Sequence, residues 1–191
     1  MPLAYEITDS SYLRQGEILT GLLELQPRLP DKDGTSLHDI KTVNPNQHAY
    51  TIVISQDCDL KYDFDARNGE AKEHKLLKHI LFCDLYTEQE IHDRNEIKSD
   101  ILRRIKGNQE ERYHCFCEAP ITGTEQKIPA LYADYKITFS LPTEWVYWLI
   151  NNKLAQRLGI VTTPYMQEFI HRQYNFLSRI ATPPQQEDKV D

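Results

Sequence analysis

The chain has 191 residues, of which 40% are hydrophobic and 27% are charged, and its formal net charge is −7. This composition is that of a globular protein, and it excludes a wholly disordered or collagen-like chain. The acidic balance argues against a function that depends only on nonspecific attraction to nucleic-acid phosphates.

The sequence contains no apolar run of the roughly 20 residues that a membrane-spanning helix needs. Its start, Met1 to Glu6, lacks the basic and apolar parts of a signal peptide. Four cysteines are too few for a disulfide scaffold. We therefore predict a cytoplasmic protein with reduced thiols and no membrane contact.

Five segments rich in β-branched and aromatic residues predict the strands of a sheet. The segment from Tyr50 to Ser55 is typical of a central strand that is buried on both faces. The last segment alternates, and its period of two predicts that Tyr135, Ile137 and Phe139 share one side. The predicted strands are 16–25, 50–56, 78–86, 112–117 and 131–141.

Polar segments and capping patterns complete the prediction. Residues 27–47 and 61–73 are polar, and we predict loops there. Thr87 and Glu90 have the capping-box spacing of a helix start, and Gly107 supplies its end. Two further helices are predicted, one from Thr143 to Leu158 that stops at Gly159, and one that begins at Thr163-Pro164. The apolar stripe of the last helix comprises Met166, Phe169, Ile170, Leu177 and Ile180.

Together these elements predict an α+β fold that is mainly β. We expect a small antiparallel β-barrel over residues 12–141 with one inserted helix, covered by a helical pair at 142–181. No composition shift marks a linker, so we predict a single domain over residues 1–181. Residues 182–191 are polar and contain two prolines, which predicts a disordered tail.

A cluster of short polar residues follows the predicted central strand. Asp57 and Asp59 would share a face if the strand continued, and Cys58 would point the other way. Three interpretations remain open: carboxylate ligands for a divalent cation, a Cys58 nucleophile activated by a histidine, or a polar turn that ends the strand. We take Ser55, Gln56 and Asp59 as candidate binding residues.

The strand 112–117 places Arg112 and His114 on one face. An arginine that clamps charge and a histidine that transfers protons suit phosphate chemistry. If this strand neighboured the one at 50–56, both side chains would share a groove with Asp57, so Asp57, Arg112 and His114 are the candidate catalytic residues. The alternative is a strand face without a ligand. The spacing of Cys115 and Cys117 does not match that of zinc sites, and we predict no metal or cofactor.

Two short motifs resemble the MazF/PemK family of small-barrel toxins. Gly16-Glu17-Ile18 is similar to the family's Gly-Asp-Ile strand, and Ile52-Val53-Ile54-Ser55 is similar to the apolar run that follows its Arg-Pro pair. The resemblance covers roughly the first third of the chain, and it implies a small β-barrel. Ala49-Tyr50 occupies the position of the family's Arg-Pro pair. In the family, that arginine helps to stabilise charge on the scissile phosphate. Lys41 or His48 could replace it here.

The leading functional hypothesis is a MazF-like binding or regulatory module with a protein partner and no ribonuclease activity. The resemblance alone implies its setting, a bacterial toxin–antitoxin or phage-defence system. One alternative is an endoribonuclease toxin-like enzyme, for which RNA would be the partner. Another alternative is a metal-dependent hydrolase centred on Asp57 and Asp59. Self-association into a homo-oligomer is left open.

Overall fold

The structure is a computed structural model, and it describes residues 4–27, 43–70 and 73–179. The helices are α1 (Asp57–Asp65), α2 (Glu88–His92), α3 (Ser99–Lys106), α4 (Thr143–Asn151) and α5 (Thr163–Leu177), and a π-helical turn (Ala66–Glu70) follows α1. The strands are β1 (Tyr5–Glu6), β2 (Glu17–Thr20), β3 (Leu22–Pro27), β4 (Val43–His48), β5 (Tyr50–Val53), β6 (His79–Thr87), β7 (Tyr113–Phe116), β8 (Ala119–Thr122), β9 (Lys127–Ile128), β10 (Leu131–Pro142) and β11 (Gln156–Val161).

Within the described residues, nine strands form one curled, half-barrel sheet in the order β7-β10-β6-β5-β2-β11-β1-β8-β9. Its pairs are antiparallel, except that β1 runs parallel to β8. Strands β3 and β4 form a separate antiparallel pair. The prediction of a mixed fold that is mostly β is therefore confirmed, and its finer part, a MazF-like barrel, stays a prediction.

The sheet carries a core on each face. Ile52 and Cys83 belong to a cluster beneath α5, whereas their neighbours Val53 and Phe82 belong to a cluster beneath α4. The prediction that the segment 50–55 is buried on both faces is confirmed for β5. Tyr113 and Cys115 pack with Ile105 of α3 in a third, smaller cluster.

The predicted strand 16–25 is in fact two strands, β2 and β3, which belong to different sheets. Gly21 separates them with a φ of +76°, and a Cβ there would lie 2.5 Å from the Leu154 carbonyl oxygen. Only glycine adopts this conformation at low cost. The chain therefore leaves the main sheet at Gly21.

The bulge in β10 corrects a second strand prediction. The pairing of β10 with β6 is irregular between Ala133 and Thr138. As a result Tyr135 packs in the cluster beneath α5, whereas Phe139 packs against the cluster beneath α4. The predicted shared side of Tyr135 and Phe139 is therefore wrong, because a bulge shifts the alternation of the strand.

Three other predictions of secondary structure are wrong. The polar segment after Gln56 is helix α1 rather than a turn and loop, and the segment 27–47 contains strand β4. The predicted helix end at Leu158-Gly159 is strand β11, which lies between β2 and β1. A Cβ at Gly159 would lie 3.0 Å from the Glu6 carbonyl oxygen, so this glycine permits close strand approach instead of ending a helix. Residues 28–42 and the predicted tail 182–191 lie outside the described residues.

The helix signals are confirmed in part. Thr87 and Glu90 form the predicted capping box, but α2 ends at His92, and a second helix, α3, runs to the predicted stop at Gly107. Helix α5 begins as predicted, yet its Leu177 is 62% exposed. The buried stripe of α5 comprises Met166, Phe169, Gln173 and Phe176.

The chain's four cysteines are free thiols, of which Cys83 and Cys115 are buried and Cys58 and Cys117 are exposed. None of the helices in the three described ranges combines the length and the apolar composition that a membrane span requires.

Candidate functional site

Two arginines converge on a buried carboxylate at the bulge of β10. Asp134 is fully buried and accepts hydrogen bonds from Arg112 Nε (2.8 Å), Arg112 Nη2 (2.6 Å) and Arg94 Nη1 (2.8 Å). The Lys136 N–H donates a further bond to it, at 3.1 Å. Burial acts to raise the pKa of the Asp134 carboxyl, but the bonds from Arg112, Lys136 and Arg94 hold it below its usual value. Asp134 is therefore an anion in the fold at neutral pH.

Arg112 thus has an internal partner. Its guanidinium binds both oxygens of Asp134, the bidentate geometry that gives the strongest arginine–carboxylate pairs. It also lies over the Tyr113 ring, 4.9 Å from the centroid. The group predicted to clamp a phosphate already holds a carboxylate of its own chain.

His114 lies inside the protein rather than in a groove. Its ring packs against Phe116 and Phe169, with centroid distances of 4.6 and 5.4 Å. Burial, assisted by the nearby charge of Arg172, lowers the pKa of His114 to about 3. At neutral pH the ring is uncharged and enclosed, so it does not reach a ligand at the surface.

The residues that follow β5 have local structural roles. Ser55 Oγ accepts the Leu81 N–H at 2.9 Å and joins two strands. Asp57 accepts from Arg14 Nε at 2.6 Å and from the Gln15 N–H at 3.2 Å. Gln56 is the residue before α1, and its side chain makes no capping bond. Asp57 and Asp59 both lie in the first turn of α1, where their carboxylates complement the positive end of the helix dipole.

The predicted shared face of Asp57 and Asp59 depended on a strand, and it is wrong because the segment is helical. Residues two apart on a helix point in different directions. Asp59 is exposed, while Asp57 is paired with Arg14. The described part of the chain contains no group of three or more His, Cys, Asp or Glu side chains placed to hold a metal ion. The geometry thus offers no support for the metal-dependent alternative.

The predicted common groove is also wrong, because the two strands that would line it are not neighbours. Strands β6 and β10 lie between β5 and β7. Three strand spacings separate them, roughly 14 Å along the sheet. Asp57 and Arg112 therefore serve two different regions of the molecule.

Within the described ranges, the hydrogen-bond partners of the Cys58 thiol include no histidine that would activate it. Its thiol contacts Gln56 Oε1 at 3.7 Å and Asp59 Oδ1 at 3.8 Å. Of the buried thiols, Cys115 has its pKa raised to about 11, mainly by burial. A thiol whose pKa is raised in this way is not a reactive thiolate at neutral pH.

The sequence analysis missed a histidine–carboxylate dyad between β4 and β6. His48 Nδ1 lies 2.6 Å from Asp84 Oδ1, and the His48 ring stacks on Phe139 with centroids 4.0 Å apart. Its other nitrogen, Nε2, is buried, has no hydrogen-bond partner among the residues that the structure describes, and lies 3.7 Å from Glu24 Oε2. The Tyr86 hydroxyl donates to Asp84 Oδ2 at 3.4 Å.

This dyad has the arrangement of an acid–base pair. A carboxylate at Nδ1 fixes the ring and its tautomer, so that Nε2 is left as the proton acceptor. Two sequence signals pointed to it: His48 directly precedes Ala49-Tyr50, and Asp84 interrupts an otherwise apolar strand. Neither signal could show that β5, which follows His48, pairs with β6 and places Thr51 opposite Asp84. Lys41, the other replacement considered for the family's arginine, lies outside the described residues.

A third candidate region is an aromatic cleft between α1 and α4. Its volume is about 460 Å³, and Phe64, Tyr147 and Trp148 line it together with Ser11, Arg67, Asn68, Glu144 and Asn151. Trp148 is 48% exposed and stacks on Trp145 with ring centroids 5.0 Å apart. Trp145 Nε1 donates to the Leu23 carbonyl at 2.7 Å. One tryptophan is thus fixed in the fold, and it holds the other at the surface.

Comparison of the chain with models of protein families, with curated proteins and with solved structures gives no match.

Proposed function

We propose that this protein is a MazF-like small-barrel protein that acts as a binding or regulatory module for a protein partner, without ribonuclease activity. The proposed setting is a bacterial toxin–antitoxin or phage-defence system. The motifs Gly16-Glu17-Ile18 and Ile52–Ser55 support the family resemblance. They lie on the adjacent strands β2 and β5 and the residues that follow β5, near the middle of the curled sheet.

The aromatic cleft carries the binding part of the proposal. Tryptophan, tyrosine and arginine are the residues most enriched at the energetic centres of protein interfaces. Trp148, Tyr147 and Arg67 meet in this cleft, and Arg67 is held by Asp63 and Glu144. A rigid, half-exposed indole beside a fixed guanidinium suits an apolar side chain presented by another protein.

The replacement of the family's arginine supports the proposed lack of ribonuclease activity. The position of the family's arginine is occupied by Ala49-Tyr50. Arg94 and Arg112, which lie near the bulge of β10, both bind Asp134. Nuclease catalysis of this type needs a positive group free to stabilise charge that develops on the phosphate.

Affinity capture with the tagged full-length chain, followed by size-exclusion chromatography, tests the proposal. We expect a stoichiometric protein complex that Trp148→Ala weakens at least about tenfold, the effect of losing an interface anchor. Tyr174→Ala is the matched control, because Tyr174 is an exposed aromatic residue on α5. A monomer without a partner, or equal capture by the Trp148→Ala variant, would overturn the proposal.

Endoribonuclease activity is the second candidate, with acid–base catalysis at His48 and Asp84 in place of the predicted Arg112 and His114. The Asp84 carboxylate at Nδ1 of His48, which leaves Nε2 as the proton acceptor, favours it. Incubation of the purified protein with single-stranded RNA tests it: the candidate predicts cleavage that His48→Ala abolishes and that His79→Ala, at an exposed histidine, leaves unchanged. No cleavage by the wild-type protein, or equal cleavage by both variants, would exclude the candidate.

A further inference from the structure

A second cleft lies between α5 and the chain that leads into β7. Its volume is about 250 Å³, and it is lined by Glu111, Arg172, Asn175, Phe176 and Arg179. Two of the five side chains are guanidiniums, one is an amide and one is a carboxylate. This cleft contains none of the residues that line the aromatic cleft or form the His48–Asp84 dyad.

Arg172 is the unusual member of this cleft. Its Nη2 donates to the carbonyl oxygens of Glu110 (2.8 Å) and Tyr113 (3.0 Å), which hold the guanidinium in place. Its Nε is buried and has no hydrogen-bond partner among the residues that the structure describes. Within 4 Å of Arg172 the described residues offer no carboxylate partner, in contrast to Arg94 and Arg112.

The other groups leave the cleft with an excess of positive charge. Arg179 Nη1 lies 3.1 Å from Glu111 Oε2, but the Glu111 side chain is largely exposed. Arg179 Nε donates to the Phe176 carbonyl at 3.0 Å. Glu111 therefore compensates one of the two cations, and the charge of Arg172 is left over.

A partly buried guanidinium without a counter-charge is costly, and it strongly attracts an anion that can reach it. The planar fork of arginine matches the oxygen spacing of phosphate and carboxylate groups.

We infer that this cleft binds a small oxyanion, in particular a phosphate group, with Arg172 as its main ligand. Arg179 supplies the second cation, and the Asn175 amide lies at the same cleft. Glu111 acts as an internal competitor for Arg179, so the anion binds more tightly when Glu111 is neutral. This inference goes beyond the proposed partner-binding function and does not depend on it.

Calorimetric titration of the full-length chain with inorganic phosphate, at constant ionic strength set with chloride, tests the inference. We expect one binding site, and at least about tenfold weaker binding in Arg172→Gln, because one charged hydrogen bond contributes that much. Arg103→Gln is the matched control, since it removes the same charge from an exposed position on α3. It should bind phosphate like the wild type.

Two further titrations test the inference. Glu111→Gln should tighten phosphate binding, and it provides a test if Arg172→Gln does not fold. Titration with a nucleoside 5′-monophosphate distinguishes an esterified from a free phosphate: comparable or tighter binding indicates that the cleft accepts a phosphorylated molecule. No phosphate binding by the wild type, equal binding by Arg172→Gln, or no tightening in Glu111→Gln would overturn the inference.

Discussion

Arg112 and Arg172 both approach the chain near the start of β7, yet their charges are used in different ways. Arg112 binds both oxygens of the buried Asp134, whereas Arg172 donates to two backbone carbonyls and keeps a buried Nε without a partner. The first arginine stabilises the fold through an ion pair. The second is held rigidly with its charge uncompensated, which is the condition for binding a ligand.

The difference lies in what the neighbouring elements provide. Asp134 faces Arg112 because the bulge in β10 brings it into the interior beside β7. Around Arg172 the nearest groups are carbonyls and aromatic rings, and His114 is uncharged there. The different roles of Arg112 and Arg172 therefore depend on whether a neighbouring element supplies a carboxylate. The sequence around each arginine does not reveal that carboxylate.

The largest expected effect comes from Asp134→Asn. This substitution leaves Arg94 and Arg112 beside a neutral amide, and removing one partner of a buried ion pair costs about 3–5 kcal/mol of the free energy of unfolding. Urea unfolding measures the loss. Asp93→Asn, at an exposed carboxylate, should change stability by less than about 0.5 kcal/mol. A loss below about 1 kcal/mol in Asp134→Asn would mean that the two arginines do not depend on it.

The pH dependence of the free energy of unfolding distinguishes the contribution of His114 from that of Asp134. The pKa of His114 falls from 6.5 to about 3 on folding, so between these values the unfolded chain binds a proton that the native chain does not. Stability is therefore complete above pH 6.5 and declines as the pH falls, by up to about 1.4 kcal/mol per unit. Because the pKa of Asp134 is lowered on folding, its contribution is lost only at still lower pH.

Urea unfolding of His114→Leu between pH 7 and pH 4 measures the histidine contribution. The difference in the free energy of unfolding between wild type and variant should shift in favour of the variant as the pH falls. His79→Leu is the control, since His79 is exposed. A difference between wild type and His114→Leu that does not change with pH would show that His114 is not buried in the neutral form.

A smaller effect distinguishes the two arginines directly. Arg112→Gln should reduce the free energy of unfolding by about 2 kcal/mol, because two charged hydrogen bonds to a buried acid are lost while Arg94 still holds it. Arg172→Gln should cost about half as much, since the loss of two carbonyl bonds is offset by removal of an uncompensated charge. Urea unfolding at pH 7 compares them, and the reverse order would contradict the assigned roles.

The parts of the fold that depend on local sequence signals were predictable. The capping box of Thr87 and Glu90 and the β-branched run of β5 are local signals, and both are confirmed. Strand β11 was not predictable in this way, because Leu158-Gly159 also suits a helix end. Its identity depends on close contact with β1, which comes from the other end of the chain.

The site was predictable in its residue types but not in its pairings. Arg112 and His114 do project from β7, yet Asp134 and Phe169, which determine what these two can do, come from β10 and α5. His48 and Asp84 are 36 residues apart, and the pairing of β5 with β6 brings them together. Such long-range contacts depend on the tertiary fold.

Arg112 and His114 have structural roles in the described fold, and the proposed function therefore predicts no RNA cleavage through them. Induced expression of the full-length chain in bacterial cells, with growth and new RNA 5′ ends measured together, tests it most directly. We expect normal growth and no new RNA 5′ ends. Growth arrest with RNA cleavage, lost in Arg112→Lys but retained in Arg103→Lys, would contradict it.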